Sequence, residues 1–201
     1  MGRTEWFRLP TSWLPLLHFL RARPRPVSVY CGAVATGEEA YSVAILLEHH
    51  GIPGRVIATD IDLELIAIAR RGVTARLDLV QAAQSAVEAG VLRPMQLLDY
   101  FEEKAGEWRP SPAVRRRVTF DVADLRDCEI PSADVVLVRN VWRYLGDDGR
   151  KSLHERLLRL PSGIVLSVGG GDLIDEEQRP TGLEKQLTGF RAGSACLFVR
   201  E

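Results

Sequence analysis

Residues 133–140 read ADVVLVRN, and this run constrains the fold more than any other. Val135, Val136, Leu137 and Val138 follow one another with no polar position between them. A strand of that kind has no face to give to water, so it belongs in the middle of a sheet covered on both sides. Shorter β-rich runs recur at 26–33 (PVSVYCGA), 55–60 (RVIATD), 115–122 (RRRVTFDV) and 162–169 (SGIVLSVG). Helical stretches separate them at 37–50, 62–71, 76–100 and 147–160, with Leu77, Val80, Val87 and Leu92 offered for burial in the third. Alternating strands and helices specify an α/β fold with a mostly parallel sheet. Residues 101–114 carry Gly106, Pro110 and Pro112 and read as a loop or small hairpin. Runs at 186–190 and 195–200, joined through 191–194, read as an antiparallel C-terminal edge hairpin. Ahead of all this, 1–25 reads as an arm with one short helix at 11–21, stopped by Pro24 and Pro26, and 26–201 as the domain proper.

Composition narrows the function classes. A chain of 201 residues builds one core without a disulfide or metal staple. Its 26 basic and 27 acidic residues give a formal charge of −1, which offers no field for nucleic acid. The basic runs at 21–26 and 115–117 read as a solvated linker and a strand edge. Cys31, Cys128 and Cys196 are odd in number and far apart, and the four histidines lack ligand spacing, so no metal site is expected. The apolar run 13–20 is interrupted by Pro15 and His18 and falls short of the ~20 residues that cross a bilayer. The expectation is a cytoplasmic protein with no membrane insertion.

In such sheets ligands sit beyond the carboxyl ends of the strands. The first of these ends reads CGAVATGEEAYSVA (31–44), where Gly32 and Gly37 bracket the turn into the helix. It is neither G-x-G-x-x-G nor a phosphate loop. Glu38 and Glu39 in the first helical turn would repel a pyrophosphate and welcome a cationic nucleoside without phosphate, such as S-adenosylmethionine. Thr36 and Glu39 also spell a capping box, so the pair has a structural reading as well. Asp60 ends the second strand, where an acid grips ribose hydroxyls; Asp62 is the more natural cap for the next helix, which leaves Asp60 no structural task. Asp124 follows the third strand, either holding an adenine amino group or serving as a loop aspartate. Arg139 and Asn140 end the fourth strand, and Tyr144 is either a ligand-facing or a packing tyrosine.

TEWFR (4–8), ATGEEAYSVA (35–44), ATDID (58–62), DYF (99–101), VTFDVADL (118–125) and VLVRNVWRYL (136–145) occur in that order. With these motifs the chain resembles the catalytic domain of CheR-type chemotaxis receptor methyltransferases. The resemblance implies a Rossmann-like S-adenosylmethionine-dependent methyltransferase fold. It also implies S-adenosylmethionine as cofactor, S-adenosylhomocysteine as product, and methyl transfer to a glutamate of a protein substrate such as a chemoreceptor cytoplasmic domain. By position it assigns Arg8 to the cofactor and the acceptor, and Tyr144 to the transferring methyl. It assigns Thr4, Gly32, Glu39, Asp60, Asp124, Leu125, Asn140 and Val141 to the cofactor, with Asp124 and Leu125 standing where the family has Asn-Leu. The departures are Gly2 for an asparagine, Ala40 for a proline, a short stretch after Phe101, and GGGD (169–172) for G-H-S-E. The family's receptor-docking helical domain is not seen ahead of TEWFR, so the expectation is a catalytic domain alone. The departures leave two alternatives: a methyltransferase with another acceptor, and a non-catalytic module that binds S-adenosylmethionine and regulates.

Overall fold

Every apolar run read as a buried strand forms one. The computed structural model describes residues 4–24, 26–93, 96–175, 177–193 and 196–201. In chain order the strands are β1 (Val27–Gly32), β2 (Gly54–Asp60), β3 (Phe101–Lys104), β4 (Glu107–Pro110), β5 (Val118–Val122), β6 (Val135–Val138), β7 (Val165–Val168), β8 (Phe190–Ala192) and β9 (Leu197–Arg200). Seven of them make one sheet in the order β5-β2-β1-β6-β7-β9-β8. The first five run parallel, and β9 and β8 close the edge antiparallel. β3 and β4 pair separately, so that of the loop or small hairpin expected at 101–114 it is the hairpin that forms. The chain steps outward from β1 to β2 and β5 and then returns to the other side of β1 at β6. That reversal opens a crevice at the carboxyl ends of β1 and β6, where ligands of open α/β sheets bind.

The helices are α1 (Trp13–Ala22), α2 (Glu38–His49), α3 (Leu63–Arg71), α4 (Arg76–Glu88), α5 (Pro112–Arg115), α6 (Gly146–Leu157), α7 (Gly170–Leu173) and α8 (Leu183–Gln186). Alternate residues of each central strand feed two cores. Val135 and Leu137 of β6 join Trp6, Phe7, Trp13, Leu17 and the α2 side chains on one face. Val136 and Val138 join Trp142, Leu153 and Leu157 on the other. This two-sided coverage is what the VVLV run demanded. α2 is buried continuously from Glu39 to Leu47, the pattern of a helix enclosed on all sides. Asp62 caps α3 through its Oδ1, which accepts the Glu64 and Leu65 N–H groups, and Gly72 ends that helix at φ 63°.

Two readings need correction. Helix α4 stops at Glu88, where Gly90 (φ 69°) turns the chain, and a short 3-10 helix covers Gln96–Tyr100. Its buried face is Leu79, Ala82 and Ala86; Leu77, Val80 and Val87 are exposed at 81%, 54% and 38%, and of the four expected core residues only Leu92 is buried. Both sets repeat at helical spacing, and the alanines let the backbone come closer to its neighbours. The edge hairpin is also shifted: 183–186 is helical, with Leu183 and Leu187 buried one turn apart, and its first strand begins at Phe190 after Gly189 (φ 79°). Ser194 in the connecting turn lies outside the described residues. No helix among the described residues is long and apolar enough to cross a membrane.

Candidate functional site

β1 ends at Gly32, where a Cβ would stand 2.9 Å from Leu125 Cδ1 and 3.4 Å from the Tyr30 ring. The missing side chain leaves that space to Leu125 and the Tyr30 ring. The turn into α2 holds Ala33 and Ala35 at φ 58° and 48°, a conformation that costs an L-residue roughly 1–2 kcal/mol. Asp60 secures it. Its Oδ2 accepts the Ala35 N–H at 2.8 Å and its Oδ1 accepts the Asp62 N–H at 3.0 Å. Asp60 is buried and does have a structural task, contrary to the sequence reading. A carboxylate has about four lone-pair directions. Two serve these loops, and the others can accept from a ligand's hydroxyls.

The capping box does not form. Gly37, at φ 93°, is the N-cap of α2, and Thr36 Oγ1 donates to Glu38 Oε2 at 2.7 Å. Glu39 instead turns inward, buried, with Oε2 3.1 Å from Arg139 Nη1. Burial pushes the Glu39 carboxyl above its ordinary range, and the Arg139 and Arg8 guanidinium groups pull it back. Burial raises Glu38 as well.

Arg139, at the end of the fourth strand, is buried beneath the rim and joins three parts of the fold. Besides Glu39, its Nη2 donates to the Arg8 carbonyl at 2.8 Å and to Ser12 Oγ at 3.4 Å, and the guanidinium sits 5.7 Å from the Trp13 ring. Trp13 Nε1 donates to the same Arg8 carbonyl at 2.9 Å. The arm is therefore fastened at Arg8, within the electrostatic reach of Glu39. The sequence signal was present: a charge directly after four buried residues needs a buried partner.

Across the crevice, Asn140 follows β6 at φ 59°. One acid holds this turn. The Asp172 carboxylate accepts the N–H groups of Asn140, of Trp142 at 3.1 Å and of Gly169 at 2.9 Å. Asp172 is 3% exposed; burial raises its carboxyl, and the three backbone donors work against that rise. Sequence reasoning took GGGD as divergence and missed Asp172, whose partner Asn140 lies 32 residues away. A Cβ at Gly169 would run into Asn140 Oδ1 and stand 2.6 Å from its N, so the clamp needs that glycine. Val141 is half-buried. Tyr144 is 75% exposed in the 3-10 turn Trp142–Tyr144, which excludes the packing-tyrosine reading.

Asp124 is committed elsewhere. Arg126 grips both its oxygens, at 3.0 Å (Oδ1) and 2.6 Å (Oδ2), and this pairing holds the Asp124 carboxyl below its usual range. Asp124 also accepts the Arg126 backbone N–H at 2.9 Å, the work of a loop aspartate. Leu125 beside it is buried against Gly32. Thr4 and Arg8 are half-buried. Thr4 lines a polar cleft of about 330 Å³ together with Thr36, Glu38 and Asp78. Gly2 lies outside the described residues. A larger cleft of about 540 Å³, between α4 and Trp108, is apolar and includes none of the rim residues. Among the described residues, no group of histidine, cysteine or acid side chains could hold a metal ion. Buried acids beside a glycine-bared strand end fit a cationic nucleoside better than a phosphate-bearing one.

Comparison with known proteins agrees with this chemistry. A sequence model described as CheR methyltransferase, SAM binding domain, matches residues 3–189. A chemotaxis protein methyltransferase of Vibrio parahaemolyticus is 27% identical over 211 residues, covering 98% of this chain and 72% of that protein. One from Klebsiella aerogenes is 32% identical over 178 residues, covering 82% of this chain and 58% of that protein. The chain thus spans a little over half to about three quarters of the length of these relatives. A TehB-like SAM-dependent methyltransferase from Corynebacterium glutamicum has a similar fold, with a TM-score of 0.51 at 14% identity, covering 98% of this chain and 87% of that one.

Proposed function

The chain belongs to the CheR methyltransferase family, and on that premise we propose that it transfers a methyl group from S-adenosylmethionine to a glutamate carboxylate of a protein acceptor of the chemoreceptor kind. The observation that carries this reading is the Arg139 cluster, which ties the cofactor acid Glu39 to the main chain of the acceptor-facing Arg8. Bound S-adenosylmethionine supplies an activated methyl group on a sulfonium centre.

In this reading Glu39 and Asp60 bind the cationic and ribose parts of the cofactor, with Thr4, Asn140 and Val141 closing around it. Leu125 and Gly32 give adenine an apolar seat. Asp124 reaches the adenine amino group by giving up part of its solvent-exposed pairing with Arg126. An unperturbed glutamate has a pKa of ~4.3, so at pH 7 the acceptor is ionised by roughly 500 to 1 and needs no general base. Arg8 orients that carboxylate through charge-assisted hydrogen bonds. Tyr144, exposed at the mouth, positions the reacting groups. Alignment of this kind can supply ~7–11 kcal/mol.

Tritiated methyl transfer into acidic receptor segments, read as base-labile label, tests the activity. Arg8→Ala is expected to lower transfer by orders of magnitude and S-adenosylmethionine affinity by far less. Equal loss of both would remove Arg8 from the acceptor. Calorimetric binding of the cofactor with no transfer to any carboxylate would favour the regulatory module instead.

A further inference from the structure

Helix α4 leaves one apolar stripe uncovered. Leu77, Val80, Gln84 and Val87 recur at intervals of three, four and three residues, the spacing of a seam between two helices. Leu77, Val80 and Val87 are exposed, on the side away from the buried Leu79, Ala82 and Ala86. A surface helix ordinarily turns polar residues outward, and a contiguous apolar face marks an interaction surface. The stripe borders the apolar cleft of about 540 Å³ that Leu98 and Trp108 complete. That cleft shares no lining residue with the polar cleft holding Thr4 and Thr36, so this face is separate from the cofactor rim.

Two features say what covers it. The first is that the stripe reads the same in both directions about Ala82. An antiparallel copy of α4, related by a two-fold axis level with Ala82, sets Leu77 against Val87 and Val80 against Gln84 twice over. These are the reciprocal contacts of an isologous interface. The second is that the charges follow the same symmetry. Arg76 and Glu88 both line the apolar cleft and stand at opposite ends of α4, six residues to either side of Ala82. Neither has an ion pair or a side-chain hydrogen bond among the described residues. Each also sits at the wrong end of its own helix, because the dipole favours acids at the amino end and cations at the carboxyl end. Beside an antiparallel copy, each comes level with the opposite charge and with the helix end that favours it.

We propose that this face of α4 binds a second copy of the chain as an antiparallel helix pair about a two-fold axis. The inference is independent of the acceptor proposed above.

Sedimentation equilibrium of the full chain, followed from about 1 μM to about 1 mM, is expected to show a shift from one chain to two. Leu77 is 81% exposed, so Leu77→Asp leaves the fold intact, which urea denaturation checks. It is expected to raise the dimer dissociation constant more than about tenfold, about 1.4 kcal/mol. Arg76→Glu and Glu88→Arg each bring like charges together at both ends of the pair and are expected to weaken it about tenfold. Both reversals suit the dipole of α4 itself, so a weaker pair cannot come from a weaker helix. The double reversal restores the match and should return the constant to within about threefold of the unaltered protein. A chain that stays single over the whole range overturns the proposal. So does assembly beyond two copies, a dimer that Leu77→Asp leaves as tight, or a double reversal no tighter than either single one. The methyltransferase reading stands in each of these cases.

Discussion

The two sides of the crevice hold their charges in opposite ways. On the β1–β2 side, Glu39 and Asp60 are buried, and each is already bonded to protein before any ligand arrives. On the β6–β7 side the acid is hidden below, as Asp172, and what meets solvent is Arg143 and Tyr144. A cofactor of fixed shape is served by fixed, dehydrated acceptors, whose electrostatic effect is strongest away from water. In the proposed reaction a protein acceptor has to arrive and leave, and a rim open to solvent suits that traffic. One sheet edge thus carries a preorganised half and an exposed half.

The sharpest way to break this comparison is to remove the fastening of the buried half. Arg139→Leu leaves the Glu39 carboxylate buried without its partner, and is expected to destabilise the fold by about 3–5 kcal/mol in urea denaturation. A loss below about 1 kcal/mol would mean that Glu39 is not held as a buried anion. Next in size, Asp60→Ala is expected to weaken S-adenosylmethionine binding by about 1–3 kcal/mol in calorimetry, the usual cost of an unmade polar pairing. Unchanged affinity would reduce Asp60 to a loop fastener.

The exposed half yields a graded pair. Gly169→Ala pushes on Asn140 and is expected to cost about 1–3 kcal/mol of stability. Gly170→Ala, whose Cβ would meet nothing nearer than Leu9 Cδ1 at 3.6 Å, should stay within about 0.5 kcal/mol. Equal costs would show that the turn is not shaped around Asn140. The smallest effect is one of pH. Burial raises Asp172 in the folded state, so the folded protein takes up this proton before the unfolded chain does. Its contribution to stability therefore falls as pH rises from the ordinary carboxyl value of 3.8 through the raised one, and levels off above it. Denaturation midpoints of Asp172→Asn against the unaltered protein should show a flatter slope in that window, and identical slopes would contradict it.

What could be read in advance follows from how local its cause is. The VVLV run fits the middle of a sheet covered on both faces, and the five parallel strands followed from it and its neighbours. The small hairpin at 101–114 was legible from its glycine and prolines. The buried face of α4 was not, because two stripes repeat with helical period and the choice between them depends on how close its neighbours come. At the site, the positions of Glu39, Asp60, Asn140 and Tyr144 along the carboxyl edge were visible from strand ends alone. Their partners were not. Asp60 to Ala35 spans 25 residues, Asp172 to Asn140 spans 32, and Arg139 to the Arg8 carbonyl spans 131. Pairings at such separations are decided by tertiary packing, and no local pattern announces them.

The grip on residue 8 has a practical consequence. Trp13 and Arg139 both donate to its main-chain oxygen, which every amino acid possesses. Exchanging the side chain at that position leaves these two contacts in place. A variant made there keeps these two main-chain anchors, which separates the charge of its guanidinium from the hold on the segment.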